Sequence, residues 1–130
     1  MFNIAKASEY AILFLTQLAK NKKKGPVNLE QITNQTGLPY KFLSRIVLKL
    51  KKAGLIKSTK GAAGGYRLSK NPKQITLMQI IKAVESKTWF VSCLGGKCVL
   101  EKSCSHKQIW ARLQKTLNLE MEKIKLSDLL

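Results

Sequence analysis

Three cysteines, Cys93, Cys98 and Cys104, lie within twelve residues of one another. The spacers between them contain glycines and charged residues, which cysteines packed in a core would not need. The three cysteines are therefore better suited to binding a metal than to packing in a core, although inert buried thiols are the simpler alternative. Thiolates are soft ligands, which narrows the metal to zinc or to iron in an iron–sulfur cluster. An odd number of cysteines confined to one segment does not predict a disulfide framework.

The spacing of these thiols favours the larger of the two metal centres. Structural zinc sites usually pair thiols that are about two to four residues apart. Here the gaps are four and five residues, which fit a wider object such as an iron–sulfur cluster. Such a cluster needs four protein ligands, so one ligand must come from a residue other than cysteine. Zinc remains the alternative.

Positive charge is concentrated in one part of the chain. The 130 residues include 24 Lys or Arg and 7 Asp or Glu, a formal net charge of +17. Residues 20–73, called the basic segment below, hold 14 Lys or Arg and a single acid, Glu30, which amounts to +13. A solvated surface usually mixes the two signs, so this segregation predicts binding to a polyanion such as double-stranded DNA.

Other classes of protein fit less well. One histidine, no paired carboxylates and no phosphate-binding glycine loop argue against an enzyme. An iron–sulfur carrier or electron-transfer protein would not explain the basic segment. The longest apolar run, residues 10–15, is far too short to span a bilayer, and the first residues lack the features of a secretory signal. We therefore expect a cytoplasmic protein with no membrane partner.

Hydrophobic periodicity and turn signals predict helices with one β-hairpin. The first helix covers residues 4–20 and is apolar on most sides, which suggests contact with a second subunit. Three capping boxes, Asn28 with Gln31, Thr76 with Gln79 and Ser105 with Gln108, begin later helices. Another helix runs from Pro39 to Ala53, followed by strands over 55–59 and 66–69, whose connecting glycines permit positive φ. This order predicts a winged helix–turn–helix.

The helix that follows Pro39 is the predicted DNA-recognition helix. Leu43, Ile46, Val47, Leu50 and Ala53 share its apolar face, and Lys41, Ser44, Arg45, Lys49 and Lys52, with Leu48 among them, share the opposite face. Such a helix can dock on a core while it presents charge to DNA; an ordinary amphipathic surface helix is the alternative. The candidate DNA-binding residues on this helix and on the wing are Tyr40, Lys41, Ser44, Arg45, Lys49, Lys60 and Arg67.

A long helix is predicted at the C-terminal end. Its apolar residues recur in steps of three and four, as in a helix–helix contact: Trp110, Leu113, Leu117, Met121 and Ile124. We interpret it as a dimerisation helix, with packing inside one chain as the alternative. The fold class is thus mainly α with a small β-hairpin wing. Its expected parts are a winged-helix DNA-binding domain over 1–85, a cysteine loop that binds the cluster over 86–104, and a dimerisation helix over 105–130.

Along nearly its whole length the sequence resembles the IscR- and NsrR-type winged-helix transcription regulators. The resemblance is carried by Ser8-Glu9-Tyr10-Ala11, Gly25-Pro26-Val27, Leu43-Ser44-Arg45, Lys52-Ala53-Gly54-Leu55-Ile56, the wing Lys60-Gly-Ala-Ala-Gly-Gly-Tyr66-Arg67-Leu68, and the three-cysteine loop. It implies a homodimer that binds a palindromic operator in double-stranded DNA and senses the state of an iron–sulfur cluster. Cys93, Cys98 and Cys104 match the family's cluster ligands, and we favour a two-iron over a four-iron cluster. Some relatives lack a cluster, so a zinc-stabilised or cluster-free regulator is the alternative.

Two residues are candidates for the fourth ligand. Some family members use an acid in the first helix, where Glu9 lies, and others use a histidine three residues after the last cysteine, whereas His106 lies two residues after Cys104. We favour Glu9, the single acid among the first 29 residues, on a helix that is otherwise nearly all apolar. An unpaired buried carboxylate is costly, so Glu9 requires a partner: either a metal or a lysine at the helix surface. His106 follows Cys104 too closely to share a metal with it without a strained loop.

Overall fold

The computed structural model describes residues 4–130, which form five α-helices and one two-stranded antiparallel sheet. The elements are α1 (Lys6–Lys20), α2 (Leu29–Thr36), α3 (Tyr40–Lys52), β1 (Ile56–Thr59), β2 (Gly65–Leu68), α4 (Leu77–Val84) and α5 (Lys107–Lys123). This order confirms the predicted winged helix–turn–helix with a long C-terminal helix. Residues 1–3 of the predicted first domain lie outside the described residues. No helix within 4–130 is both long enough and apolar enough to cross a membrane.

Two of the three predicted capping boxes are present. Asn28 caps α2 and Thr76 caps α4, each accepting a hydrogen bond from the third backbone N–H of its helix. The predicted box at Ser105 is wrong, because α5 begins at Lys107 after His106. The carbonyl of His106 accepts the first helical hydrogen bonds, and its ring is held by Trp110 on the next turn. The helix therefore starts one residue later than the Ser105 signal indicates.

The core lies between α1, α2, α3 and α4. Phe14 and Leu15 of α1 meet Ile32 of α2, Leu43 of α3 and Ile80 of α4, all fully buried. Four of the five predicted core residues of α3 are buried, but Ala53 is exposed. The reason is that α3 ends at Lys52 and Gly54, at φ 76°, turns the chain away towards β1.

The chain returns to this core after α5. Leu126 is fully buried, and its backbone N–H donates to the carbonyl of Ile75 over 2.8 Å. The N–H of Leu77 donates in turn to the carbonyl of Ile124 over 2.9 Å. Ile124, predicted to continue the apolar row of α5, instead follows the helix as its C-terminal cap. Residues of the predicted dimerisation part thus help to complete the winged-helix core.

The wing is the hairpin of β1 and β2, which pair antiparallel with Ile56 opposite Leu68 and Thr59 opposite Gly65. Two glycines near its tip are required by close backbone contacts. A Cβ on Gly64 would lie 2.2 Å from the carbonyl oxygen of Thr59, and one on Gly65 would lie 2.6 Å from the backbone of Val27. Positive φ, the reason expected from the sequence, applies in this turn to Gly61 alone, at φ 111°.

Candidate nucleic-acid interface and cysteine segment

The exposed face of α3 carries most of the predicted DNA-binding residues. Tyr40, Lys41 and Arg45 are exposed, and the opposite face of the helix is buried in the core. Ser44 is half-buried, and its hydroxyl donates a 2.8 Å hydrogen bond to the carbonyl of Lys41. Its oxygen therefore still has lone pairs that can accept a hydrogen bond from a base edge.

Lys49, another predicted contact, is differently placed. Its ammonium donates a 3.0 Å hydrogen bond to the carbonyl of Val84, near the end of α4. A cation at that position also interacts favourably with the negative end of the helix dipole. In this structure Lys49 therefore joins α3 to α4 and lies at the edge of the exposed cationic face.

The wing adds a cation that the sequence reasoning missed. The predicted contacts Lys60, in the turn, and Arg67, on β2, are both exposed. Lys57 on β1 is also exposed and is paired directly with Arg67 in the strand register. The signal was available in the sequence, because the antiparallel register of the two predicted strands places these residues opposite each other.

The cations of this surface are not neutralised by acids. The three ion pairs found among residues 4–130 are Lys6–Glu9, Lys107–Glu101 and Lys123–Glu120, all outside the basic segment. No Asp or Glu occurs between Glu30 and Glu85 in the sequence. The face formed by α3 and the wing is therefore positive and open to an anionic partner.

The three cysteines lie in the irregular segment between α4 and α5. Cys93 belongs to a 3₁₀ turn over Ser92–Gly95, and the carbonyl of Cys98 accepts a 3.1 Å hydrogen bond from the N–H of Glu101. All three thiols, including that of Cys104, are free and half-buried. They are thus available for a metal or for oxidation.

This segment is attached to α5 by side-chain hydrogen bonds. Gln114 accepts a 2.8 Å hydrogen bond from the N–H of Phe90 and donates one of 3.1 Å to the carbonyl of Thr88. At the start of α5, the indole N–H of Trp110 donates to Nδ1 of His106 over 2.8 Å. The conformation of the cysteine segment is therefore coupled to the position of the long helix.

Lys107, the first residue of α5, is tied to the cysteine segment by an ion pair with Glu101. Its hydrogen bond to the Glu101 carboxylate raises the pKa of the Lys107 ammonium, and weaker electrostatic attraction to Cys93 and Cys98 acts in the same direction. The ion pair is another link between the cysteine segment and the start of α5.

The ligand set predicted from the sequence is not assembled within one chain. Among residues 4–130, no three Cys, His, Asp or Glu side chains come together in an arrangement that could hold a metal ion. Glu9 pairs instead with Lys6 at 3.1 Å on the surface of α1, and Nδ1 of His106 accepts the hydrogen bond from Trp110. The three thiols still supply the soft donors that an iron–sulfur cluster requires.

An apolar groove of about 680 Å³ separates the N-terminal end of α1 from α5. Its α5 wall is formed by Leu113, Leu117 and Met121, three of the residues predicted to form a dimer contact. Leu113 is 48% exposed and Leu117 is 43% exposed, and no residue of α5 is classed as buried. This face of α5 is therefore only partly covered by the rest of residues 4–130.

Comparison with known proteins agrees with this architecture. Residues 4–130 match the Rrf2 family, described as an iron-dependent transcriptional regulator. The regulator IscR of Aliivibrio salmonicida is 30% identical over 122 residues, which cover 93% of this chain and 73% of that protein. Among solved structures, a candidate transcriptional regulator of Listeria innocua has a TM-score of 0.85 at 28% identity, covering 98% of this chain and 85% of the other.

A second solved structure is CymR, the global cysteine regulator of B. subtilis. It has a TM-score of 0.78 at 29% identity and covers 99% of this chain and 96% of the other. The named relatives are transcription regulators and not enzymes, in line with the prediction from the sequence. From the family match and the winged-helix architecture together, we conclude that this chain belongs to the Rrf2 family of DNA-binding transcription regulators.

Proposed function

We propose that this chain acts as a homodimer on a palindromic operator, and that an iron–sulfur cluster held by Cys93, Cys98 and Cys104 controls its affinity for DNA. The proposal of DNA binding rests on the cationic face formed by α3 and the wing, whose charges are not paired with acids among the described residues. Binding to genomic DNA implies that the protein works in the cytoplasm.

On the operator, α3 enters the major groove. Lys41, Ser44 and Arg45 then meet base edges and phosphates, and Tyr40 lies at the backbone. The wing holds the duplex through Lys60 and Arg67, with Lys57 beside Arg67. Each phosphate contact releases counterions, so affinity falls steeply as salt rises.

The second copy of the chain occupies the apolar face of α5. A palindromic operator requires two recognition helices related by a two-fold axis, and a two-fold interface uses the same surface on both copies. Leu113, Leu117 and Met121 form one apolar wall of the groove, and Leu113 and Leu117 remain 48% and 43% exposed in the described chain. Burial of this wall against the same wall of a second copy would remove it from water.

The dimer has a direct test in analytical ultracentrifugation. Leu117→Glu introduces a charge into the centre of the groove, and we expect a monomer at concentrations where the unchanged protein is a dimer. The matched control is Leu119→Glu, another exposed leucine of α5 that does not line this groove. A dimer that survives Leu117→Glu would place the interface elsewhere.

The cysteine segment fits an iron–sulfur cluster by its donor chemistry, because it carries three free thiols within twelve residues. When bound, the cluster would supply a redox-active and nitric-oxide-reactive centre. Cys93, Cys98 and Cys104 would hold the cluster, with Glu9, from the same or a second subunit, as the proposed fourth ligand. Because Gln114 and His106 tie the segment to α5, a movement of the segment that brought the thiols together would be transmitted to the dimer contact and would change the spacing of the two recognition helices.

A second candidate function is regulation without a cluster. It is favoured by the separation of the thiols in this structure and by the similarity to the cysteine regulator CymR. Free thiols that are half-buried can be oxidised reversibly, and a zinc ion could also hold them. Purification without oxygen distinguishes the candidates. A brown protein containing iron and sulfide supports the cluster, whereas a colourless protein with stoichiometric zinc or with no metal supports the second candidate.

A further inference from the structure

We propose that Leu48 determines part of the operator sequence by packing against the methyl group of a thymine. Leu48 is 67% exposed, although it lies on a helix that already has a complete buried face. The inference rests on the proposed function, because it takes α3 as the helix in the major groove.

The exposure of Leu48 is not explained by packing within the chain. Leu43, Ile46, Val47 and Leu50 fill the core side of α3, and Leu48 projects from the opposite side. A single exposed leucine is common on protein surfaces, but its neighbours here are unusual.

The neighbours of Leu48 are the predicted DNA contacts. Arg45, Ser44 and Lys41 precede Leu48 by three, four and seven residues. At these spacings the four side chains lie along one side of the helix. Leu48 is therefore an apolar side chain in the middle of a surface that is otherwise cationic or hydroxyl-bearing. A surface selected only for phosphate contacts would have no use for a leucine at this position.

The major groove offers one apolar group that such a leucine can contact. The C5 methyl of thymine projects there, and proteins use apolar side chains to recognise it. The hydroxyl hydrogen of Ser44 is engaged with Lys41, so its oxygen is left to act as a hydrogen-bond acceptor. An A·T pair presents both an amino donor and a methyl group, which suits Ser44 and Leu48 on adjacent turns.

The test uses the full chain and an operator selected by that chain from a pool of random 30-base-pair duplexes. Each thymine of one half-site is replaced in turn by deoxyuridine, which removes only the methyl group. At one position we expect binding about fourfold weaker, as follows from burial of one methyl group. Leu48→Ala should bind the thymine operator more weakly by at least the same factor and should be insensitive to deoxyuridine at that position.

Two further variants keep the result interpretable. Leu13→Ala removes another exposed leucine, on α1, and should retain the full sensitivity to deoxyuridine. Leu48→Met keeps an apolar side chain of similar volume and should retain most of the sensitivity to deoxyuridine. Equal binding with deoxyuridine at every position, or unchanged sensitivity in Leu48→Ala, would overturn the role of Leu48 while leaving operator binding intact. Failure to select any duplex would instead contradict the proposed function itself.

Discussion

Lys57 on β1 lies directly opposite Arg67 on β2, and both side chains are exposed. Like charges at opposite positions of an antiparallel pair destabilise a sheet. Among the described residues no acid forms an ion pair with either of them. The wing therefore carries a local electrostatic cost that an anion between the two side chains would remove, and a DNA phosphate is such an anion.

This relationship predicts that stability and binding respond to one substitution in opposite directions. Lys57→Ala should leave the melting temperature unchanged or raise it slightly, because a repulsion is removed. It should weaken DNA binding. The negative slope of log affinity against log salt should become shallower by about 0.9 for each subunit, because one phosphate contact is lost. Fluorescence anisotropy over a salt series and thermal unfolding by circular dichroism measure the two effects. Lys102→Ala, in the cysteine segment, is the control; an equal effect from that control would contradict the role of the wing.

Arg45 should contribute to specificity as well as to affinity. Its guanidinium lies on the exposed face of α3, and Arg→Ala at a base contact costs about 1–3 kcal/mol of discrimination. Arg45→Ala should therefore weaken binding to a selected operator far more than binding to a scrambled duplex. Lys115→Ala, on α5, should weaken binding to the operator and binding to the scrambled duplex slightly and to the same extent. If the two variants weaken operator binding to the same extent, α3 is not the recognition helix.

The cysteines should serve regulation more than folding. Cys98 is half-buried in an irregular segment, so Cys98→Ala should remain folded and dimeric while losing the cluster. Leu126→Ala is the contrasting variant, because it creates a cavity in the core and should cost about 2–5 kcal/mol of unfolding free energy. Chemical denaturation compares them. An unfolded or aggregated Cys98→Ala protein would show that the metal is structural.

The choice between Glu9 and His106 as fourth ligand should be visible in the spectrum of the cluster. The Lys6–Glu9 pair is exposed, so it is weak and its carboxylate can be recruited at little cost. Nδ1 of His106 is occupied by the Trp110 indole, so ligation by that nitrogen requires breaking a hydrogen bond. We expect Glu9→Ala to change the visible and resonance Raman spectra of the loaded protein and His106→Ala to leave them unchanged. The opposite pattern would identify His106 as the ligand.

Local signals accounted for most of the fold. Capping residues such as Asn28 and Thr76, and the helix-ending Gly37, act within a few residues of themselves, so the sequence is sufficient to place them. The start of α5 was misplaced because Ser105 offers the same local signal. What decides the position is the contact between His106 and Trp110, which depends on side-chain packing.

Other features depend on contacts between distant parts of the chain. Leu126 enters the core because the segment after α5 pairs with Ile75, about fifty residues earlier, and periodicity within one helix cannot show this. Helical spacing places Lys49 on the DNA-binding face, yet its ammonium donates a hydrogen bond to the carbonyl of Val84 on a neighbouring helix. A metal site formed by Glu9 and the thiols would also depend on contact between distant parts of the chain, and it remains a prediction.

Control of DNA binding by the metal centre on the cysteine segment can be measured as a change in operator affinity. The dissociation constant for a selected operator is determined without oxygen at one fixed salt concentration, first for the iron-loaded protein and then after removal of iron. Regulatory coupling of this kind typically amounts to about 5–150-fold, and we predict a change within that range that Cys98→Ala abolishes. Equal dissociation constants with and without iron would show that the metal centre does not control DNA binding.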